Sequence, residues 1–259
     1  MKLAHILVFA LALVFTSSAF GQKLLQKSYK EWNKDEVAKI LKESGWALEY
    51  QSEEGLIAAQ QEQQGRDSND NNRGSYRGNQ GRVDIPAPIT IRLHSALPIR
   101  QALVRMQQLG ANYDKMNAEE KLKFDDQTAK FLECGICKQY YVITIAKWKD
   151  TSTSVSEGIF QTLTLDDLKG KIWLANDKDE KLELAQFTPP KGAADSAVFF
   201  FKRTNEKGMP FFTSSDKQVR FVFANELRSS NVNAYSKLIP KSFEFKVSKM
   251  LSPSGELEF

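Results

Sequence analysis

The chain has 259 residues, with 36 Lys and Arg against 32 Asp and Glu, two Cys and two His. That length allows one large or two small domains, and a hydrophobic content of 41% excludes wholesale disorder. So few Cys and His exclude most zinc centres, Cys–His proteases and His-rich two-metal sites. A net charge of +4 argues neither for nucleic acid nor for an anionic membrane as partner.

Met1-Lys2 gives a positive start, Ala4 to Phe15 an apolar run, and Thr16 to Gly21 a small-residue stretch. This is the three-part layout of a secretory signal peptide, with Ala19 and Gly21 at the −3 and −1 positions of a cleavage site. The apolar run is shorter than the ~20 residues of a membrane-spanning helix. The expectation is therefore a leader over residues 1–21 and a single mainly-β domain over residues 22–259. The product would be exported, periplasmic or secreted, with no transmembrane segment after cleavage.

In Trp32-Asn33-Lys34-Asp35-Glu36-Val37, Asn33 is placed to cap a helix, with Glu36 at its third position and Trp32 able to pack on Val37. Ile40 and Leu41 continue the apolar stripe, and Gly45 is placed to end it. Trp46 to Tyr50 reads as extended. From about residue 60 to residue 86 the chain turns to Gln, Asn, Asp, Arg and Gly, which predicts a disordered insertion between two strands of one sheet.

Ile89, Ile91 and Leu93 alternate with Thr90, Arg92 and His94, the mark of a half-buried strand with His94 on its solvent side. A helix from Leu97 to Leu109 ends at Gly110, and Asn117 opens another that runs to about Leu132. Together they form a two-helix insertion over residues 96–133. Strands follow around Tyr141–Ile145, Lys171–Leu174, Leu182–Leu184, Val198–Phe201, Val219–Phe223 and Phe243–Val247, separated by polar or Pro/Gly turns. The fold expected is α+β, with a mainly antiparallel β-sandwich-like core, an N-terminal helix and the two-helix insertion.

Cys134-Gly135-Ile136-Cys137 has redox spacing, but a redox pair relies on a helix that starts at the first Cys and lowers its thiolate pKa. Here the helix precedes Cys134, so a structural disulfide is expected, adding about 2 kcal/mol by loop entropy. Haem attachment needs His where Lys138 stands, and zinc needs two further ligands, so no metal and no cofactor are expected. Ser214-Ser215-Asp216-Lys217 matches a β-lactamase motif by letter but lies in a polar turn. Asp67 to Asn71 begins like a calcium loop, yet Asn72 and Gly78 stand where Gly and Glu are required. The paired acids Glu53-Glu54, Asp125-Asp126 and Asp166-Asp167 are sequence neighbours, whereas a glycosidase needs carboxyls ~5–10 Å apart across a cleft. No catalytic residue is assigned. The Phe-rich C-terminal half reads as core, which leaves Tyr140, Tyr141, Trp148 and Trp173 as possible ligand-facing aromatics.

The segment Trp32-x3-Glu36-Val37-x2-Ile40-Leu41-x2-Ser44-Gly45-Trp46-Ala47, with Ser95-Ala96-Leu97-Pro98 later, resembles a pattern in exported bacterial proteins of unknown function. That resemblance implies export and no particular activity. The function expected is a non-enzymatic envelope or secreted protein that binds another macromolecule of the envelope or exterior, with no nucleic-acid partner. A carboxylate-dependent hydrolase and a thiol-redox protein using Cys134 and Cys137 remain alternatives.

Overall fold

A computed structural model describes residues 24–50, 89–147, 160–192, 195–205, 207–229 and 239–259. The expected leader, the expected insertion over residues 60–86, the acids Glu53-Glu54 and Trp148 lie outside the described residues.

The protein is an α+β fold with a β-sandwich-like core. Helix α1 (Lys34–Lys42) is opened by Asn33 through a complete capping box with Glu36. It buries Val37, Ile40 and Leu41. Strand β1 (Ala47–Tyr50) pairs antiparallel with β2 (Ile89–Leu93), so the two flanks of the polar stretch do belong to one sheet. Helix α2 (Leu97–Gly110) carries Pro98 in its first turn, and α3 (Ala118–Glu133) starts at a second capping box, Asn117 with Glu120. Strand β3 (Tyr140–Lys147) then returns beside β2, so the helix pair leaves and re-enters a single sheet.

The short helix α4 (Leu165–Leu168) is capped by Thr164 with Asp167, which accounts for the acidic pair Asp166-Asp167 as a helix start. Strands β4 (Ile172–Ala175), β5 (Lys181–Glu183), β6 (Gln186–Thr188), β7 (Ala197–Lys202) and β8 (Gln218–Phe223) come next. Helix α5 (Asn225–Ser229) and β9 (Ser242–Lys246) complete the set. The strands form two antiparallel sheets, in the orders β1-β2-β3-β7-β6 and β5-β4-β8-β9. No described helix is long and apolar enough to cross a membrane.

The sheets face each other through aromatic rings. Period-two alternation puts Phe199 and Phe201 of β7 on the inner face, where both contact Phe221 of β8, at 5.3 and 6.0 Å between ring centroids. Phe221, Phe223 and Phe243 continue the contact to Tyr50 of β1. On the opposite face of the larger sheet, α1 packs over β1 and β2, and α2 packs on α1. That covering layer is why every residue of β2 is buried, including Thr90 and Arg92, which alternation alone would expose.

Gly45 does not end α1, which closes earlier at Glu43. It is required because the turn at Lys249–Met250 presses on it: a Cβ at position 45 would lie 2.1 Å from the Lys249 carbonyl oxygen. Gly45→Ala should therefore destabilise the protein by about 2–4 kcal/mol, read as a lower urea midpoint, because backbone must move to admit one methyl. An unchanged midpoint would show that the turn at Met250 is not seated against β1.

Candidate functional site

The helical layer covers only part of its sheet, and at its edge lies a cavity of about 380 Å3. Its floor is a single cross-strand row. Arg92 on β2 pairs with Thr144 on β3, Thr144 with Val198 on β7, and Val198 with Thr188 on β6. Leu103 of α2 and His94 form one wall; Pro189, Lys191, Asp195 and Ser196 from the β6–β7 connection form the other. Residues from four strands and a helix thus converge on one concavity.

Arg92 is held rigidly. Its Nε donates to the Leu41 carbonyl at the end of α1, at 2.8 Å. Burial pushes its guanidinium down to about 10, with the Glu49 carboxylate acting in the opposite direction, so the group remains charged at neutral pH. Glu49 is itself engaged by Lys42 at 3.3 Å. Lys191 and Asp195 belong to the rim, where the Asp195 carboxylate accepts from the Lys191 backbone N–H at 3.1 Å.

The expectation that His94 faces solvent is corrected by the structure. It sits half-buried, its ring edge-on to Phe131 of α3 at 5.5 Å, because the inserted helices fold back over this face. Desolvation first, then the Arg100 and Arg92 charges, push its imidazole down to about 4. It is a neutral hydrogen-bonding group at physiological pH.

Of the four aromatics expected to face a ligand, the three described ones, Tyr140, Tyr141 and Trp173, separate. Tyr141 does not: it is fully buried on the inner face of β3 and stacks on Phe212 at 4.5 Å, one of the rings closing the sandwich. Trp173 lies half-buried on the outer face of the second sheet, with the Lys181 ammonium 4.4 Å from its ring centroid, away from the cavity. Of these three, Tyr140 alone shares the cavity's face. It is half-buried and edge-on to Phe200 of β7 at 6.1 Å, and its hydroxyl accepts from the Gln186 side-chain amide at 3.1 Å. Val198, Phe200 and Tyr140 make an apolar strip that leads from the cavity floor across the part of the sheet beyond the helices.

Cys134 and Cys137 are joined in a disulfide. Cys134 terminates α3 in a left-handed conformation at φ 43°, and Cys137 is buried. Arg203 donates to the Cys137 carbonyl at 3.2 Å and stacks on the ring of Phe259 at 4.3 Å. Asp125 accepts from Lys30 at 2.6 Å and from the Tyr113 hydroxyl, a tie between helix α3 and the N-terminal segment. Ser214 to Lys217 lies in the turn before β8, where Asp216 accepts from Thr213.

Arg92, Thr144, Lys191 and Val198 were not picked out as site residues from the sequence. The available signal was topological: a helix pair inserted between adjacent antiparallel strands must pack on one face of them, which turns outward-facing polar residues into buried ones. No protein-family model matches this chain, and no curated protein or solved structure matches it.

The depressed His94 pKa has a consequence for stability. The unfolded chain takes up the imidazole proton near pH 6.5, whereas the folded chain takes it up only near 4. Stability contributed by the neutral ring is therefore complete above pH 6.5 and is lost as pH falls towards 4. His94→Gln should flatten this slope, removing about 2 kcal/mol of the stability difference between pH 7 and pH 4 in denaturant titrations. An unaltered slope would mean that the ring is solvated.

Proposed function

We propose that the protein is an exported, non-enzymatic binding protein that engages another macromolecule of the cell envelope or exterior. The observation that carries this reading is the partial cover of the five-stranded sheet. One half is sealed by helices; the other presents the Val198–Phe200–Tyr140 strip beside a concave pocket bearing a fixed cation. Concave, mostly apolar sites with a few converging polar groups are the usual form of a ligand site. The disulfide fits an oxidising compartment, and the expected leader provides the route there.

The two alternatives receive less support. Among the described residues lining the pocket, Asp195 is the sole carboxylate, and its Oδ2 is occupied by the backbone of its own loop. A hydrolase using paired acids would need a second one across the cavity. Cys134 lies at the C-terminal end of α3, whose dipole disfavours a thiolate, and its partner sulfur is buried.

The reading is tested by expressing the full-length chain in a bacterium and recovering it from periplasm and medium. The protein should arrive without residues 1–21, with Cys134 and Cys137 joined. It should then retain an envelope protein or polysaccharide on an affinity column, and Phe200→Glu should abolish retention while its far-ultraviolet circular dichroism stays that of the parent. A protein that stays in the cytosol with its leader intact, or retention indifferent to Phe200→Glu, would refute it.

A further inference from the structure

Resting on this binding reading and naming the chemistry of its ligand, we propose that the pocket takes a carboxylate at the head of an otherwise apolar group. The Arg92 guanidinium would be the charge partner, with Thr144 and His94 hydrogen-bonding beside it. Arg92 is preorganised for the role. Its Nε is committed to the Leu41 carbonyl, so the plane of the guanidinium is set before any ligand arrives. Thr144, directly opposite in the β2–β3 register, brings a hydroxyl to the same floor.

Charge selects the head group. Among the described residues, Arg92 and Lys191 line the pocket with one carboxylate between them, Asp195, and Glu49, which acts electrostatically on Arg92, is held by Lys42. Arg100 adds positive potential at His94, with its Nε and Nη1 donating to the carbonyls of Leu132 and Ser95. The described lining residues carry a single surplus positive charge, which a monoanion matches; a phosphate dianion would overshoot it and meet Asp195. Neutral His94 offers one donor or one acceptor without adding to the charge, as a carboxylate neighbour should.

The remainder of the lining selects the body. Leu103, Pro189 and Val198 are apolar, and Phe200 stands two residues beyond Val198 on the same face of β7, about 7 Å along the strand. A ligand with its carboxylate at Arg92 would therefore lay an aliphatic or aromatic body along the strip. Both a free carboxylic acid and the C-terminus of a polypeptide have this chemistry.

The experiment is a nuclear magnetic resonance titration of the full chain, following the His94 ring, with octanoate, octanol and inorganic phosphate as probes. A tetrapeptide ending in Val-Phe, with a free or an amidated terminus, forms the second arm. Octanoate or the free-acid peptide should bind at least about tenfold more tightly than its uncharged counterpart. Saturation should raise the His94 pKa from about 4 towards its usual value, because a bound anion favours the imidazolium. Lys191→Gln and Thr144→Val, neither of which breaks the Arg92–Leu41 bond, should each weaken the acid several-fold and leave the neutral probe unaffected. Whichever acid binds more tightly identifies the source. The inference is overturned if the acids bind no better than octanol and the amide, or if phosphate moves His94 more than they do. Should retention still be lost in Phe200→Glu after such a result, the binding function would stand and only the ligand chemistry would fall.

Discussion

Three buried guanidinium groups hold the helical layer together and tie it to the sheet, and they do so through backbone carbonyls. Arg92 of β2 reaches the Leu41 carbonyl near the end of α1, and Arg100 of α2 reaches the Leu132 carbonyl near the end of α3. Arg105, a turn further along α2, reaches the Trp32 carbonyl just before α1 and holds Asp114 through two parallel bonds of 2.9 Å. The last four carbonyls of a helix have no partner within it, and leaving them buried and unbonded would be unfavourable. A charged donor at that end also complements the helix dipole. Each such bond contributes about 1.5–3 kcal/mol, but its removal also strands a buried carbonyl, so the structural dependence exceeds the bond's own worth. These contacts are directional, and those from Arg92 and Arg100 fix where α1 and α3 stop.

The position of those ties decides where a site can exist. Helix α1 is drawn over β1 and β2 and α2 rests on α1, with Leu103 at the cavity's edge, whereas β7 and β6 stand further along the sheet. The boundary between covered and uncovered sheet passes through the row Arg92, Thr144, Val198 and Thr188, and the cavity occupies that boundary. Arg92 consequently serves two ends at once. One nitrogen secures α1, and the residue as a whole brings positive charge to the pocket floor. A group anchored for the sake of the fold is also one that needs no further ordering when a ligand binds, which is the preorganisation that converts contact into affinity.

Local structure was legible in the sequence wherever a short-range mechanism determines it. Asn33 with Glu36, Asn117 with Glu120 and Thr164 with Asp167 all form capping boxes, and each can be read from a four-residue window. The period-two Phe pairs of β8 and β9 fall on the buried face. What depended on packing between layers was not legible. The alternation in β2 is real, yet both faces are buried, because the outward side is claimed by helices whose docking the pattern does not encode. Gly45 was placed by its proximity to a helix end, although the reason for it lies two hundred residues further on, at the Lys249 carbonyl. Strand β6 escaped notice for its length: three residues before Pro189-Pro190 carry no period. Tyr141 was separated from Tyr140 only by parity, since a shift of one residue moves a side chain to the opposite face.

The disulfide corner shows how a short-range constraint and a long-range one reinforce each other. A left-handed residue at a helix end is ordinarily Gly, because other side chains are strained there. Here the position is Cys134, and the bond to Cys137 three residues on holds the chain in the turn that the strain opposes. The same corner is gripped from outside by Arg203, which donates to the Cys137 carbonyl and lies over the ring of Phe259. That ring packs edge-on to Tyr141 and Phe212, so the C-terminal residue, the disulfide and the inner face of β3 form one contact. A thiol-redox site requires a sulfur that is free to leave its partner and an electropositive setting for the thiolate. Cys137 is buried and its backbone oxygen is engaged by Arg203, while Cys134 stands at the electronegative end of α3. Breaking the bond would release the strain at Cys134 but leave the Arg203 and Phe259 contacts standing, so the corner is determined more than once. That redundancy is what a brace requires, and it opposes the reversible opening on which electron transfer would depend.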